Sequence, residues 1–252
     1  MAELHPDVVS RIRFAEELPP VNESAPGEDF LGFYGEHRTA LAELLRSLKA
    51  ESARVAPFEL RSGLLPPRLA IVDASIQEMC GIPYRTPQGL IPECPGLTRG
   101  LHGCPPHAPT VEETRALLSR GQSLLLLQFG GREGNAPQGE VHHFMLRVAK
   151  ALAGGGYNVL ETYASGPCCV CPKGCGTAEE CRLPERRLFA FEACGFWVNS
   201  LIDAASPYPV LNAPERVEWL IDWRLPTQST DAIRYNAGVL LARGQGDSIS
   251  TC

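Results

Sequence analysis

Five of the ten cysteines in this chain lie within the segment 166–182, GPCCVCPKGCGTAEECR. Glycines and prolines separate these cysteines, so the backbone can bend around whatever the thiols bind. A loop this rich in thiols indicates a metal, because thiolates are ligands that zinc and iron–sulfur clusters take from proteins. The fold must therefore present this loop from a rigid core. The five cysteines are Cys168, Cys169, Cys171, Cys175 and Cys181.

The compartment expected for the chain decides how its thiols are interpreted. The 252 residues carry a net charge of −6, so no basic field would attract nucleic acid or an anionic membrane. The first residues, MAELHPDVVSRIRFAEEL, mix charges throughout and lack the apolar core of a secretory signal. The longest apolar stretch, around residues 124–127, is too short to span a bilayer. We therefore expect a cytoplasmic protein with reduced thiols, in which metal ligation is favoured over a disulfide framework.

Hydrophobic periodicity and turn signals divide the chain into alternating helices and strands. Loops are expected over the proline-rich stretches 19–30 and 80–110 and over the linker 57–67. Helices are predicted over residues 1–18, 36–50, 110–120, 139–153, 184–194 and 214–223. Strands are predicted over residues 68–72, 123–129, 159–163 and 235–242.

This alternation predicts an α/β fold with a single compact domain, in which a mixed or parallel sheet is flanked by helices and by cysteine-rich loops that hold metal clusters. The cysteine-rich segments follow predicted strands, so they should lie where strands end. Residues 1–62 are expected to form an N-terminal helical segment packed on the core, and residues 63–252 the α/β cysteine-rich metal-binding domain.

The spacing of the downstream cysteines favours an iron–sulfur cluster. Four of them follow the pattern C-x2-C-x3-C-x5-C, which places several ligands in one loop, as in ferredoxins. A zinc ribbon takes two CxxC pairs from separate knuckles, and the second pair is missing, so zinc is the alternative. The CxxxCxxC spacing of radical enzymes also fails, because position 178 is Ala178. Adjacent residues tend to point apart, which makes Cys169 the expected non-ligand. The predicted ligands are Cys168, Cys171, Cys175 and Cys181.

A second, more widely spaced set of cysteines lies upstream and consists of Cys80, Cys94 and Cys104. Proline follows Cys94 and Cys104, as it follows the last ligand of bacterial ferredoxin runs. The proline rings would limit the access of water to a metal bound by these cysteines. The alternative is that these cysteines are buried and inert. A four-iron cluster held by three thiolates would leave one iron open to a substrate or to a further ligand. The candidate further ligands are His102, His107, Cys194 and Cys252.

Several charged side chains lie near the cysteines in sequence. Of His142 and His143, on a predicted helix, one is expected to face the core. No dinucleotide fingerprint, Walker loop or nucleophile elbow occurs, so built-in nicotinamide, flavin or ATP chemistry is unsupported. The cations are Arg85, Arg99, Lys173, Arg182, Arg186 and Arg187. The candidate proton donors are Glu161, Glu185 and Glu192, and the spacing selects none of them.

Four motifs in order carry a resemblance to a known family. They are Cys-Pro-Pro-x-x-Pro-Thr at 104–110, Gly-Pro-Cys-x-x-Cys at 166–171, Cys-Arg-x-Pro-Glu at 181–185 and Phe-Glu-Ala-Cys-Gly-Phe-x-Val at 191–198. Over roughly residues 70–200 the chain resembles the cysteine-rich predicted metal-binding proteins of unknown function. The resemblance implies metal binding, expected as iron–sulfur clusters, with no assigned reaction. The cysteines that match the family are Cys80, Cys94, Cys104, Cys168, Cys171, Cys175 and Cys181.

The leading hypothesis is an iron–sulfur enzyme that performs reductive or sulfur-transfer chemistry on a small molecule. The downstream loop would hold a fully liganded [4Fe-4S] cluster, and the upstream set a second cluster with an open iron. An external donor such as a ferredoxin or flavodoxin would supply electrons, and neither nucleic acid nor a membrane is an expected partner. The alternatives are a non-catalytic module, either a zinc-stabilised scaffold or an electron carrier, and a metal chaperone or sensor.

Overall fold

A five-stranded mixed sheet forms the centre of the structure, a computed structural model that describes residues 28–52, 59–81, 84–86, 89–91, 94–130, 138–175, 180–205 and 235–242. The strands are β1 (Glu59–Leu65), β2 (Tyr84–Thr86), β3 (Gly89–Ile91), β4 (Ser123–Gly130), β5 (Asn158–Ala164), β6 (Phe189–Ala190) and β7 (Tyr235–Ala242). The helices are α1 (Glu28–Ser52), α2 (Ala74–Glu78), α3 (Pro95–Thr98), α4 (Val111–Arg120), α5 (Gln138–Gly154) and α6 (Val198–Ala205).

The sheet has the strand order β1-β4-β7-β5-β6. Its first three pairings are antiparallel, and β5 pairs with β6 in parallel. Strands β2 and β3 form a separate antiparallel hairpin. The predicted α/β class with a mixed sheet flanked by helices is therefore confirmed.

Strand β4 is buried on both faces, which explains its run of four consecutive leucines, Leu124 to Leu127. All eight of its residues are buried. Because successive side chains of a strand point to opposite faces, Leu125 and Leu127 enter one apolar cluster while Leu124 and Leu126 enter the other. Helices α1 and α5 cover the first face, and α4 and α6 cover the second.

Helix α4 begins as its sequence predicts. Thr110 accepts a hydrogen bond from the Glu113 N–H through its hydroxyl (3.2 Å), and the Glu113 carboxylate accepts one from the Thr110 N–H (2.8 Å). This capping box satisfies two backbone donors at the helix start. The strands predicted over 123–129, 159–163 and 235–242 and the helix predicted over 139–153 are also present, within one or two residues at each end.

Four predictions of secondary structure are wrong. Residues 67–69, at the start of the strand predicted over 68–72, form a 3-10 turn. The strand lies earlier, at β1, within the stretch expected to be a linker. Pro66 and Pro67 follow β1 directly and end it. Residues 184–194, predicted as a helix, form two 3-10 turns on either side of strand β6. Pairing of β6 with β5 overrides the local helix propensity. The segment 80–110, predicted as a loop, contains β2, β3 and α3. Helix α1 begins at Glu28, earlier than the predicted start at residue 36.

Some expectations concern segments outside the described residues. The helices expected over 1–18 and 214–223 lie outside the described residues. The expected boundary between residues 62 and 63 falls inside β1, and the division into two parts stays a prediction. Among the helices that the structure describes, none combines the length and the apolar character needed to cross a bilayer.

Candidate metal centre

A hairpin closes the long gap between the first two upstream cysteines. Strands β2 and β3 pair between Cys80 and Cys94, and the Cys94 N–H donates a hydrogen bond to the Cys80 carbonyl at 3.1 Å. Thirteen intervening residues would otherwise allow the two thiols to lie far apart. The backbone therefore holds these two cysteines side by side despite their wide spacing.

Cys104 is buried against the helix that follows Cys94. A Cβ atom on Gly96, in α3, would collide with the Sγ atom of Cys104. The Cys104 carbonyl accepts hydrogen bonds from the N–H groups of His107 (2.9 Å) and Ala108 (3.0 Å), which fixes the Cys-Pro-Pro turn. Burial, then the nearby charges of Cys94 and Cys80, raises the pKa of the Cys104 thiol to about 12. The three upstream cysteines thus lie near one another.

The downstream loop is anchored where strand β5 ends. The Ser165 hydroxyl donates to the carbonyl of Asn236 in β7 (2.6 Å) and accepts from the Asn236 N–H (3.0 Å). The side-chain amide of Gln138, at the start of α5, donates to the carbonyls of Ser165 (3.1 Å) and Pro167 (2.9 Å). Gly166 lies between them with a φ of 70°, a conformation that favours glycine. Two core elements therefore set the direction in which the loop leaves the sheet.

Cys171 lies in a tight turn of the downstream loop, near three other cysteines. Gly174, with a φ of 79°, closes a turn by donating its N–H to the Cys171 carbonyl at 3.0 Å. Burial raises the pKa of the Cys171 thiol, as do the charges of Cys168, Cys181 and Cys175, while Arg182 lowers it. These charge effects place Cys168, Cys175 and Cys181 in the neighbourhood of Cys171.

The two cysteine sets adjoin each other, which the sequence does not predict. A Cβ atom on Gly103 would lie 3.0 Å from the Cβ atom of Cys168 and would collide with the Leu188 carbonyl. The Gly103 carbonyl accepts a hydrogen bond from the Ala190 N–H at 3.1 Å. The charge of Cys168 also contributes to the raised pKa of Cys104. Cys168 therefore lies at the junction of the upstream and downstream sets.

A cavity of about 540 Å³, named here the thiol cavity, is lined by Cys94 of the upstream set and by the downstream cysteines. The Arg187 guanidinium lies 4.3 Å above the Phe189 ring, and its Nε atom is buried without a hydrogen-bond partner among the described residues. A bound polar group would satisfy that donor. The charged and thiol side chains that border the thiol cavity are Cys94, Cys168, Cys169, Cys171, Cys175, Cys181, Arg99, Arg186 and Arg187.

The Cys169 thiol and its backbone N–H both contact His142, a residue of helix α5. Its thiol lies 3.1 Å from Nδ1 of His142, and its backbone N–H donates to the same nitrogen at 3.2 Å. Burial, then the charge of Cys168, raises the pKa of the Cys169 thiol to about 11. His142 is fully buried and His143 is exposed, so the expectation that one of the two faces the core is confirmed.

The candidate further ligands lie in different places. His102 borders the thiol cavity, and its ring centroid is 4.4 Å from that of His107. Cys194 is fully buried in the apolar cluster beneath α6, and burial raises the pKa of its thiol well above the usual value. Cys252 lies outside the described residues. The nine cysteines that the structure describes are all free thiols.

Of the three candidate proton donors, Glu192 is the one whose charge acts on the upstream cysteines. Burial raises the pKa of Glu192 to about 7, and its charge contributes to the raised pKa values of Cys80 and Cys104. Burial also raises the pKa of Glu161, while Glu185 is exposed. Glu192 belongs to the motif at 191–198, but nothing in its spacing marks it as a neighbour of cysteines more than eighty residues upstream.

The donor set suits a soft or borderline metal. Thiolates select zinc, copper(I) and iron–sulfur clusters over magnesium or calcium. Within the ranges that the structure describes, no group of three or more His, Cys, Asp or Glu side chains forms a defined site for a metal ion. Cys94 and the downstream cysteines nevertheless border one cavity, and their thiol groups are of the type that holds such a metal.

The fold and the site together define a cysteine-rich α/β protein of the metal-binding class. The chain belongs to the family described as predicted metal-binding proteins (DUF2284), whose sequence model matches residues 93–221. The resemblance carried by the four motifs is thereby confirmed. No curated protein and no solved structure matches the chain.

Proposed function

We propose that the protein is an iron–sulfur enzyme that performs reductive or sulfur-transfer chemistry on a small molecule. The observation that carries this proposal is the thiol cavity, which Cys94 and the downstream cysteines border from opposite cysteine sets. A metal bound only for stability would need no such space beside it. A cavity of about 540 Å³ falls within the range of sites that hold small ligands.

The number and spacing of the thiols favour iron–sulfur clusters over zinc. A structural zinc ion is closed by four ligands, usually from two short knuckles. Here four cysteines lie in one short loop, which is the arrangement that wraps a multi-iron cluster, and three more lie upstream. In the proposal, Cys168, Cys171, Cys175 and Cys181 hold one [4Fe-4S] cluster completely, and Cys80, Cys94 and Cys104 hold a second with one iron open. When bound, such clusters supply electrons and a Lewis-acidic iron.

Side chains around the thiol cavity would bind and orient the small molecule. Arg99, Arg186 and Arg187 present cationic groups to the cavity, and Arg187 has a buried donor to offer. Glu192, whose pKa is raised to about 7, can hold a proton close to Cys80 and Cys104 at neutral pH. A bound substrate would thus meet cationic hydrogen-bond donors in the thiol cavity, and Glu192 would supply a proton to the upstream cysteines.

The proposal includes partners and a compartment. Reductive chemistry needs an external electron donor, for which a ferredoxin or flavodoxin is suited, in a compartment such as the cytoplasm where thiols stay reduced. The net charge of −6 supplies no basic surface for nucleic acid. The alternative, a zinc-stabilised scaffold or an electron carrier, would leave the thiol cavity without a role.

Electron paramagnetic resonance of single-cysteine variants tests the proposal. Anaerobically reconstituted Cys104→Ala and Cys171→Ala should each lose a different signal after reduction, and Cys194→Ala should keep both. If both ligand variants abolished the same single signal, the two-cluster arrangement would be wrong. A protein that shows no iron–sulfur signal and folds around zinc would support the scaffold instead.

A further inference from the structure

Three arginines border the thiol cavity, and among the described residues that line it there is no aspartate or glutamate. The arginines are Arg99, Arg186 and Arg187. The chain as a whole has the opposite balance, with 29 acidic and 23 basic residues. The excess of cations is therefore a local property of this cavity, and a concave wall of one charge attracts a ligand of the other.

The three arginines come from two segments that are far apart in sequence. Arg99 directly follows α3 in the upstream segment, and the other two lie in a 3-10 turn after the downstream cysteines. The N–H groups of Arg186 and Arg187 donate to the carbonyls of Leu183 (3.0 Å) and Pro184 (3.3 Å), which fixes this turn. The Arg99 and Arg186 side chains are exposed, so an incoming ligand can reach them. Both segments therefore present guanidinium groups to one cavity.

Arg187 is held in place and keeps a buried donor without an acceptor. Its guanidinium lies 4.3 Å above the ring of Phe189, and a guanidinium stacked on an aromatic ring keeps its N–H groups available at its edge. Burial raises the pKa of Glu161, while a hydrogen bond from the Thr162 N–H (2.9 Å) and the charge of Arg187 lower it. That carboxylate is therefore near, yet Nε of Arg187 has no hydrogen-bond partner among the described residues. A buried donor of this kind calls for an acceptor from a ligand.

A fourth arginine, Arg182, separates this role from charge compensation. Arg182 is exposed and is not among the described residues that line the thiol cavity. Burial and the neighbouring thiols raise the pKa of the Cys171 thiol, and the charge of Arg182 lowers it. Charge compensation for the cysteine loop thus has a source outside the cavity.

We propose that Arg99, Arg186 and Arg187 form an oxyanion subsite of the thiol cavity, so that the small molecule bound there carries a carboxylate or phosphate group. This inference rests on the proposed function, since it names the class of small molecule that enters the same cavity. Guanidinium groups match the paired oxygens of carboxylates and phosphates with paired N–H donors. With its oxyanion on the arginines, the rest of the molecule would face the cysteines that border the same cavity.

The test is anaerobic calorimetric titration of the full-length, metal-loaded protein with inorganic phosphate and, separately, with acetate, against chloride at constant ionic strength. One of the two anions should bind saturably at one site per chain, and which one binds identifies the oxyanion. Arg187→Lys keeps the charge but removes the Nε donor, and it should weaken binding about tenfold or more, as should Arg99→Gln and Arg186→Gln. Arg182→Gln is the matched control, because it removes the same charge outside the cavity lining and should leave the affinity unchanged.

Several outcomes would overturn the inference. They are no saturable binding of either anion, an equal loss of affinity in Arg182→Gln and Arg186→Gln, and an unchanged affinity in Arg187→Lys. Metal content and thermal unfolding are measured for every variant. If Arg187→Lys fails to fold, the variants at the exposed Arg99 and Arg186 still decide the question.

The inference and the proposed function fail in different ways. A zinc-loaded protein without sulfide that binds phosphate or acetate through these arginines would contradict the proposed function and leave the oxyanion subsite standing. A protein with both iron–sulfur signals that binds neither anion, and in which the arginine variants lose metal, would do the reverse. The arginines would then only balance the charge of the bound metal.

Discussion

Cys168 packs against the loop that carries Cys104, at the place where the two cysteine sets meet. Gly103 lies between them, and only a residue without a Cβ atom fits there. The charge of Cys168 contributes to the raised pKa of Cys104, although 64 residues separate the two cysteines in sequence. Cys168 therefore connects the downstream loop with the loop of the upstream set.

Replacement of Cys168 should affect both sets unequally. We expect Cys168→Ala to lose the resonance signal that Cys171→Ala loses and to shift the other signal, because Cys168 also adjoins Cys104. Cys181→Ala should lose the first signal without the shift. If Cys168→Ala kept the signal of the downstream set and lost that of Cys104, Cys168 would be a ligand of the upstream set.

A methyl group on Gly96 should disturb the upstream set selectively. The Cβ atom of Gly96→Ala would collide with the Sγ atom of Cys104, so we expect loss of most of the metal held by Cys80, Cys94 and Cys104. Gly139→Ala is the control, because its Cβ atom meets nothing within 4 Å and should change stability by at most about 1 kcal/mol. Metal analysis and thermal unfolding of both variants measure this. Equal metal content in the two variants would contradict the prediction.

The stability of the metal-free protein should depend on Glu192 near neutral pH. Burial raises the pKa of Glu192 from 4.5 to about 7, so the folded state binds the proton more tightly than the unfolded state. Its contribution to stability is fully present below pH 4.5 and is lost as the pH rises through about 7. Glu192→Gln should remove this part of the pH dependence. Urea unfolding across this range measures it, and an unchanged pH dependence in the variant would argue against a buried Glu192.

Metal binding should release protons from the upstream cysteines. Burial, then the charges of neighbouring thiols, raises the pKa of both Cys80 and Cys104 to about 12, so both thiols are protonated at neutral pH without metal. The affinity for zinc, used as a probe, should therefore increase with pH. Calorimetry in two buffers of different ionisation enthalpy counts the protons released. Binding heats that do not depend on the buffer would contradict this prediction.

The sequence predicts those parts of the structure that depend on local patterns. The apolar runs of β4 and β7 identify central strands, and the capping box at Thr110 identifies the start of α4. The edge strands β1 and β6 are not predicted from the sequence. They are strands because they pair with β4 and β5, and their own composition does not indicate a strand.

The same distinction applies to the site. The seven ligand candidates follow from spacing and motifs, and their role as metal ligands stays a prediction. The contact between the two sets and the pairing of Cys169 with His142 could not be predicted. His142 lies 27 residues before Cys169, on a separate helix, and no local pattern links them. Tertiary folding alone brings these side chains together.

Counting iron and acid-labile sulfide in the anaerobically purified protein tests the central claim most directly. Two adjoining four-iron clusters predict a brown protein with about eight iron and eight sulfide per chain. A colourless protein that holds stoichiometric zinc and no sulfide would contradict the account.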